Sequence, residues 1–384
     1  LRRMPHVDLV CSPSLLDQVP QLITRAKERG EGQLAVAGHS SRRTATLDAA
    51  MDGVESLDLS RAFSPLEERS QAFVRITRGC DKFCSFCVVP FTRGPEVHRA
   101  PGQIVEEVRR LAASGAKEVT LLGQTVNHYV YTDGGKTTTF ADLLGLVHDS
   151  VPDLPRLRFV TSYPRDFSDE ALDVMAQSPR ICRYLHIPVQ SGSNRLLALM
   201  NRGYDVETYL GLIERARARM PDIRLAGDMI VGFPSETDEE HQASLALVDK
   251  VQYKNLFVFK YSPRPGTVAS RRLTDDVDEE TKKRRNIEML DVQNRIALAL
   301  NLSRVGETFE VLVESTSKLR QHDAGVHLGW QARSEQAAHV RLVGRTRGDE
   351  IVAFDGPATL VGALVRVRIR EATTLTLLGE LVGS

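Results

Sequence analysis

Apolar residues recur along this chain with two different periods, and the switching between them lays out the architecture. Beyond residue 70, short apolar or alternating runs give way repeatedly to stretches with a helical repeat of about 3.6 residues. The pattern predicts strands over 72–77, 117–122, 157–160, 184–188, 224–232 and 255–261. Between them it predicts helices over 101–114, 140–149, 168–177, 194–200, 206–219 and 239–251. The first of these helices opens on Pro101, lines up Ile104, Val108 and Leu111, and stops at Gly115. Such strand–helix alternation argues for an α/β fold, a parallel sheet closed or partly closed into a TIM-like (β/α)6 barrel.

The flanks read differently. Residues 1–60 hold a strand over 7–10, a helix over 15–29 and a strand over 34–37. The helix sets Leu15, Val19, Leu22 and Ile23 on one face, yet this α/β piece is too small to bury a core alone. Cys11, at the end of its first strand, reads as a small buried hydrophobe. Residues 262–301 read as a polar linker and helix carrying Arg264, Arg271, Arg272 and the run Lys282-Lys283-Arg284-Arg285. Such a run is ordinarily a solvated face; phosphate contact is the alternative.

From Gly306 the period becomes that of short strands, over 308–313, 339–343, 350–354 and 363–369, which predicts a small antiparallel β-barrel. Arg366, Arg368 and Arg370 alternate with Val367 and Ile369, so three guanidinium groups share the outer face. That display suits a phosphate backbone, while the nearly balanced charge beyond Val305 leaves an ordinary solvated face open.

Composition narrows the picture. A chain of 384 residues has room for two or three domains. Its 50 basic and 50 acidic residues cancel, so any nucleic-acid contact must come from local patches. Five cysteines, three of them in one loop, argue for a reducing cytoplasm rather than a disulfide framework. No apolar run approaches the roughly 18 residues of a membrane span, and the first residues lack a signal peptide's apolar core.

That one loop carries the chemistry. Cys80, Cys84 and Cys87, in RGCDKFCSFCVVPFTRG, give the spacing C-x3-C-x2-C. Iron–sulfur clusters are usually held by four thiolates, so three leave one iron open to a ligand. A structural zinc site would need a fourth ligand, for which His98 is the candidate, and the spacing is not the paired C-x2-C of zinc ribbons. Active sites of such barrels sit at the C-terminal ends of the strands. Gly123-Gln124, Ser162-Tyr163-Pro164, Gln190-Ser191-Gly192 and Gly232-Phe233-Pro234 all fall there. Each alone could be a tight turn; four on one rim suggest a site. Cys182 and His186 are expected to be core-facing.

The cysteine loop, with EVTLLGQTVNHY, LHIPVQSGSNRLLALMNRGY, GDMIVGFPSETDEE and FKYSPRPGT, resembles the methylthiotransferases of the radical S-adenosylmethionine (SAM) class. The likeness runs from about Met4 to Gly379. It implies a [4Fe–4S] cluster on Cys80, Cys84 and Cys87, with SAM on the open iron yielding a 5′-deoxyadenosyl radical. It further implies a SAM pocket drawn from Phe86, Gly123, Gln124, Ser191, Asp228, Ile230 and Gly232, with no catalytic residue beyond the cluster ligands. Residues 1–60 would be the end of an N-terminal methylthiotransferase domain, 66–302 the radical SAM core and 305–383 a TRAM domain, a small RNA-binding barrel using Arg366, Arg368 and Arg370.

The implied reaction is methylthiolation of tRNA at C2 of N6-isopentenyladenosine, beside the anticodon. The implied partners are the tRNA anticodon stem-loop and an electron donor such as flavodoxin or ferredoxin, with the chain monomeric. Relatives in the class act on threonylcarbamoyl-adenosine of tRNA or on a ribosomal protein aspartate. An RNA-binding protein with a structural metal is the alternative from another class. The family's second, auxiliary [4Fe–4S] cluster needs three further cysteines that this sequence lacks, and Cys11 does not match their motifs. A truncated N-terminus, with that cluster only in a longer protein, is therefore expected.

Overall fold

A computed structural model describes residues 7–11, 18–29, 33–35, 70–317 and 339–383. At its centre are six strands in two parallel ladders. Gln71–Arg75, Glu118–Leu122 and Arg156–Phe159 form one; Tyr184–His186, Arg224–Val231 and Asn255–Lys260 form the other. A parallel bridge from Leu157 to Ile181 joins them. The expected (β/α)6 order is therefore present as a partial barrel. Helices Pro101–Ala113, Phe140–Ser150, Asp169–Gln177, Val206–Arg219 and Asp238–Val251 alternate with the strands. Their apolar stripes bury Ile104, Val108, Leu143, Leu144, Leu172, Leu212 and Val248 against the outer strand faces. Serine, threonine or aspartate caps open four of the five, and Thr139 and Thr237 form full capping boxes.

Several expectations need correction. Residues 262–301 are less linker than structure: Val268–Arg272 is a short helix and Glu279–Leu302 a long one. The long helix buries Met289 and Ile296 in the main core and ties Gln293 Nε2 to Tyr253 O at 2.9 Å. Its basic run is solvated only in part: Lys283 and Arg284 are exposed as expected, whereas Lys282 and Arg285 are buried. In the N-terminal piece, Leu9–Cys11 pairs in parallel with Gln33–Ala35, and helix Val19–Arg29 buries Leu22. Ile23 lies 45% exposed, one step too far round the helix to share that face. Leu15 lies outside the described residues. An unanticipated hairpin, Val130–Asp133 with Lys136–Thr139, follows the second barrel strand.

The C-terminal segment is a closed barrel of five strands. Thr376–Leu381 is the strand that the sequence pattern did not show, and it pairs in parallel with Ile351–Pro357. Val311, Val313, Leu342, Val352, Phe354, Val367, Ile369 and Leu377 fill the interior. One turn of this small barrel closes the N-terminal end of the large one. Arg158 pairs with Glu118 at 3.2 Å and donates to Thr346 O at 3.3 Å. Arg224 pairs with Glu350 at 2.7 Å, and the fully buried Arg156 donates to Glu310 O and Arg345 O. Glu118, Arg156 and Arg224 open their strands and Arg158 follows two residues into its own, so this contact marks the N-terminal end of the barrel and leaves the C-terminal rim for the site.

Candidate active site

The cysteine loop leaves the first barrel strand and returns to it. Thr77–Arg78 pairs antiparallel with Val97–His98, and residues 79–96 bulge between them over the C-terminal rim. Gly79 starts the excursion at a φ of +73°, where any Cβ would overlap Pro95 O. Cys87 N donates to Cys84 O at 3.0 Å, the tight turn that the x2 spacing requires. Ser85 clamps the loop between two helices, its N donating to Met200 O at 2.9 Å and its O accepting from Ala269 N at 2.7 Å. Asn201 Nδ2 donates to Phe83 O at 3.0 Å.

The three thiols are half-buried. Burial pushes the Cys80 and Cys87 thiols up, and the nearby sulfur of Cys84 adds to this. Cys80 Sγ lies 3.7 Å from Thr125 Oγ1, and Cys84 Sγ accepts from Arg202 Nη1 at 3.2 Å. The guanidinium of Arg202 against Cys84 favours a thiolate there, and binding a metal group would displace the thiol protons that burial otherwise holds on Cys80 and Cys87. His98, the zinc candidate's fourth ligand, instead packs its ring edge-on against Tyr129, 5.4 Å between centroids.

Around this loop the rim is strained. Phe83, Thr161, Gln190, Asn201 and Ser235 all have positive φ, including a β-branched threonine at +69°. Gln190 exchanges backbone bonds with Asp228 O at 2.9 Å and Ile230 N at 3.0 Å, bringing two of the predicted motifs side by side. Phe86 and Ile230, both predicted, pack on one apolar cluster with Leu196, Met200, Phe233, Tyr261 and Ala269.

Other predicted residues are occupied structurally. Ser191 Oγ accepts from Ser193 N at 3.1 Å, and a Cβ on Gly123 would overlap Thr77 Cγ2. Gly232 N donates to Glu236 Oε2 at 2.6 Å, and Glu236 pairs in turn with buried Arg285 at 2.9 Å. Gln124 is half-buried and precedes Thr125, whose Oγ1 lies 3.7 Å from Cys80 Sγ. Asp228 bonds His186 Nε2 at 3.1 Å inside the barrel, where the His186 ring meets Phe257 edge-on. Cys182 is buried as expected, whereas His186, expected to face the core, is only half-buried and hydrogen-bonded to Asp228.

Arg366, Arg368 and Arg370 are exposed, as alternation predicted, with Arg370 paired to Glu380. They stand on the small barrel, which docks at the end opposite the cysteine loop. Sequence reasoning missed Thr125, Arg202 and Tyr204, and had Tyr163 only as part of a rim motif. The polar Asn201-Arg202-Gly203-Tyr204 turn after an apolar helix was the available signal.

The profile of the radical SAM superfamily matches residues 74–248. A tRNA-2-methylthio-N(6)-dimethylallyladenosine synthase of Phocaeicola vulgatus is 43% identical over 375 residues, 98% of this chain and 75% of the relative. The protein of the same name from Rhodopirellula baltica is 41% identical over 380 residues, 99% of this chain and 76% of the relative. The chain belongs to the radical SAM methylthiotransferase family.

Among solved structures, coproporphyrinogen III oxidase from Escherichia coli, a radical SAM enzyme, superposes with a TM-score of 0.47 at 17% identity, covering 77% of this chain and 70% of that one. Radical SAM methylthiotransferases work with a [4Fe–4S] cluster and SAM. Cys80, Cys84 and Cys87 are free thiols on one loop and so of the donor type such a cluster takes, although among the described residues no three ligating side chains stand gathered as a metal site. Among the described residues, no helix is long and apolar enough to cross a membrane.

Proposed function

We propose that this chain methylthiolates tRNA at C2 of N6-isopentenyladenosine next to the anticodon. The observation that carries this reading is the three-thiol loop at the open end of the barrel, in a chain 43% identical to a synthase named for that product. When bound, the cluster and SAM would supply an electron and a radical able to take hydrogen from the inert C2 position. The sulfur would come from the family's auxiliary cluster, whose three cysteines are not among those of this sequence, and the methyl group from a second SAM.

The chain's own part is positional. Cys80, Cys84 and Cys87 hold the metal group, with Arg202 and Thr125 against two of the sulfurs. Phe86, Ile230, Gly123, Gln124, Ser191, Asp228 and Gly232 shape the rim pocket for SAM. Phe257 and Phe259 stand about half-exposed on the face opposite the buried Leu256, toward the barrel interior. They offer an apolar wall to a prenyl chain. Arg366, Arg368 and Arg370 contact RNA phosphates, and a flavodoxin or ferredoxin supplies electrons to a cytoplasmic monomer.

The test uses anaerobically reconstituted protein, dithionite, SAM and an anticodon stem-loop deuterated at C2 of its N6-isopentenyladenosine. Deuterium should pass into 5′-deoxyadenosine, and Cys84→Ala should abolish product. Transfer from a threonylcarbamoyl-adenosine stem-loop or an aspartate peptide, but not from the prenylated RNA, would replace this reading with that of a sister enzyme. Zinc without iron after reconstitution would replace it with a structural metal site.

A further inference from the structure

Arg202 is a buried cation with no carboxylate beside it. Its residue surface is 6% exposed, and among the described residues no aspartate or glutamate forms an ion pair with it. Its donors are spent elsewhere. Nη2 donates to Pro188 O at 2.9 Å, Nε to Tyr204 Oη at 2.8 Å, and Nη1 to Cys84 Sγ at 3.2 Å. The guanidinium is centred 4.8 Å from the Tyr163 ring and 5.3 Å from that of Tyr204. Those rings pack edge-on, 5.5 Å apart. Tyr204 Oη is itself anchored on Pro188 O and Val189 O at 3.1 and 3.0 Å.

Burying a charge without a countercharge is costly. Carbonyls and aromatic faces meet part of that cost as dipoles and quadrupoles. Of the three groups that accept its hydrogen bonds, only the Cys84 sulfur gains a full negative charge on binding iron. Every other contact fixes the guanidinium in place, so it cannot swing to solvent when the charge near it changes.

We infer that Arg202 is a positioning residue that sets the reduction potential of the cluster through its charge-assisted bond to Cys84. One-electron reduction adds one negative charge to the cluster and its ligands, and no bond within the protein forms or breaks. A fixed cation at a ligating sulfur favours the more negative state, and hydrogen bonds to the sulfurs are among the determinants of such potentials. Arg202 thus makes the cluster easier to reduce. It also links the Pro188 strand end to the loop that carries Cys84. This inference rests on the cluster reading but not on the identity of the RNA.

The experiment compares wild type, Arg202→Lys and Arg202→Met after anaerobic reconstitution. Iron and sulfide are counted per chain, folding is checked by circular dichroism, and the cluster is titrated with reductant under electron paramagnetic resonance. Arg202→Met should shift the midpoint to lower potential and leave fewer reduced spins at a given dithionite concentration. Arg202→Lys, which keeps the charge but loses the fork, should shift in the same direction by less. If the Met variant loses iron while the Lys variant holds it, a lowered midpoint in the Lys variant supports the inference. An unchanged midpoint in an iron-replete variant overturns it. So does equal loss of iron from both folded variants, which would assign Arg202 to loop structure alone. Wild type that takes up no iron would instead remove the cluster reading itself.

Discussion

Lys282 lays its aliphatic stem across the backbone of Gly232. Its Cγ occupies the space a Cβ on Gly232 would need, with Lys282 Cβ and Cδ each 3.2 Å from that point. The lysine is held there by Asp275 at 2.7 Å and by the Tyr261 ring, 5.6 Å from Nζ to the centroid. Gly232 also has a φ of +68°, so a side chain at this position meets both backbone strain and a pinned neighbour. Gly232→Ala is expected to cost about 1–3 kcal/mol of stability, read as a lower urea midpoint. It should also weaken SAM binding, because the Ile230–Gly232 turn moves with it. Lys282→Ala in the same background should recover part of the loss; no recovery would mean that backbone strain alone is responsible.

Glu240 makes a pH prediction. Burial alone would raise its pKa, but bonds from Arg195, from Ser193 Oγ at 2.7 Å and from Thr237 N at 3.0 Å prevail and hold it down to about 2. A folded-state pKa below the ordinary 4.5 means that the stabilisation is fully present above that pH. It is lost as pH falls from about 4.5 towards about 2. Glu240→Gln should flatten the fall in apoprotein stability across that acid window and lower stability at neutral pH. An unaltered acid limb would show that the Ser193 and Thr237 caps do not depend on this charge.

Much of the fold was legible because its signals are local. The C-x3-C-x2-C loop lies within one stretch, and the βα alternation repeats on the scale of single elements. What escaped depends on chain closure. Arg202 and Cys84 are 118 residues apart, so nothing in the sequence around either shows that they meet. Lys282 and Arg285 looked solvated because charge runs usually are, yet the rim turn at Gly232 and Glu236 needs buried cations from the last helix. Arg158 hid in a predicted strand as an ordinary polar position and Arg156 lay just before it, yet with Arg224 they carry the contact on which the second barrel sits. Thr376–Leu381 lacks clean alternation because only Leu377 enters the small barrel's core.

That contact between barrels is itself testable. Arg158 and Glu118 are both about 5% exposed and meet through two bonds of 3.2 Å, with Thr346 O completing the set. Removing one partner of a buried pair leaves the other uncompensated, at a cost of about 3–5 kcal/mol. Arg158→Ala should lower the urea midpoint and raise hydrogen exchange in the 345–350 turn. A change confined to the large barrel, with that turn still protected, would show that the small barrel docks through its other contacts.

The aromatic wall gives the sharpest test of substrate choice. On strand Asn255–Lys260, Leu256 is buried in the core, while Phe257 and Phe259 on the opposite face stay 49% and 53% exposed. Phe257 meets the ring of His186, whose Nε2 bonds Asp228, so this face looks into the barrel beneath the rim. A prenyl chain laid on such a surface gains about 1.5 kcal/mol or more from burial, about tenfold in binding. Phe257→Ala and Phe259→Ala should therefore each raise KM for the prenylated stem-loop by about tenfold while changing kcat less. Binding of the same RNA without the prenyl group should hardly move, because phosphate contacts made elsewhere are untouched. Equal losses for the two RNAs would place the prenyl chain away from this wall and leave Phe257 and Phe259 as general supports of the barrel.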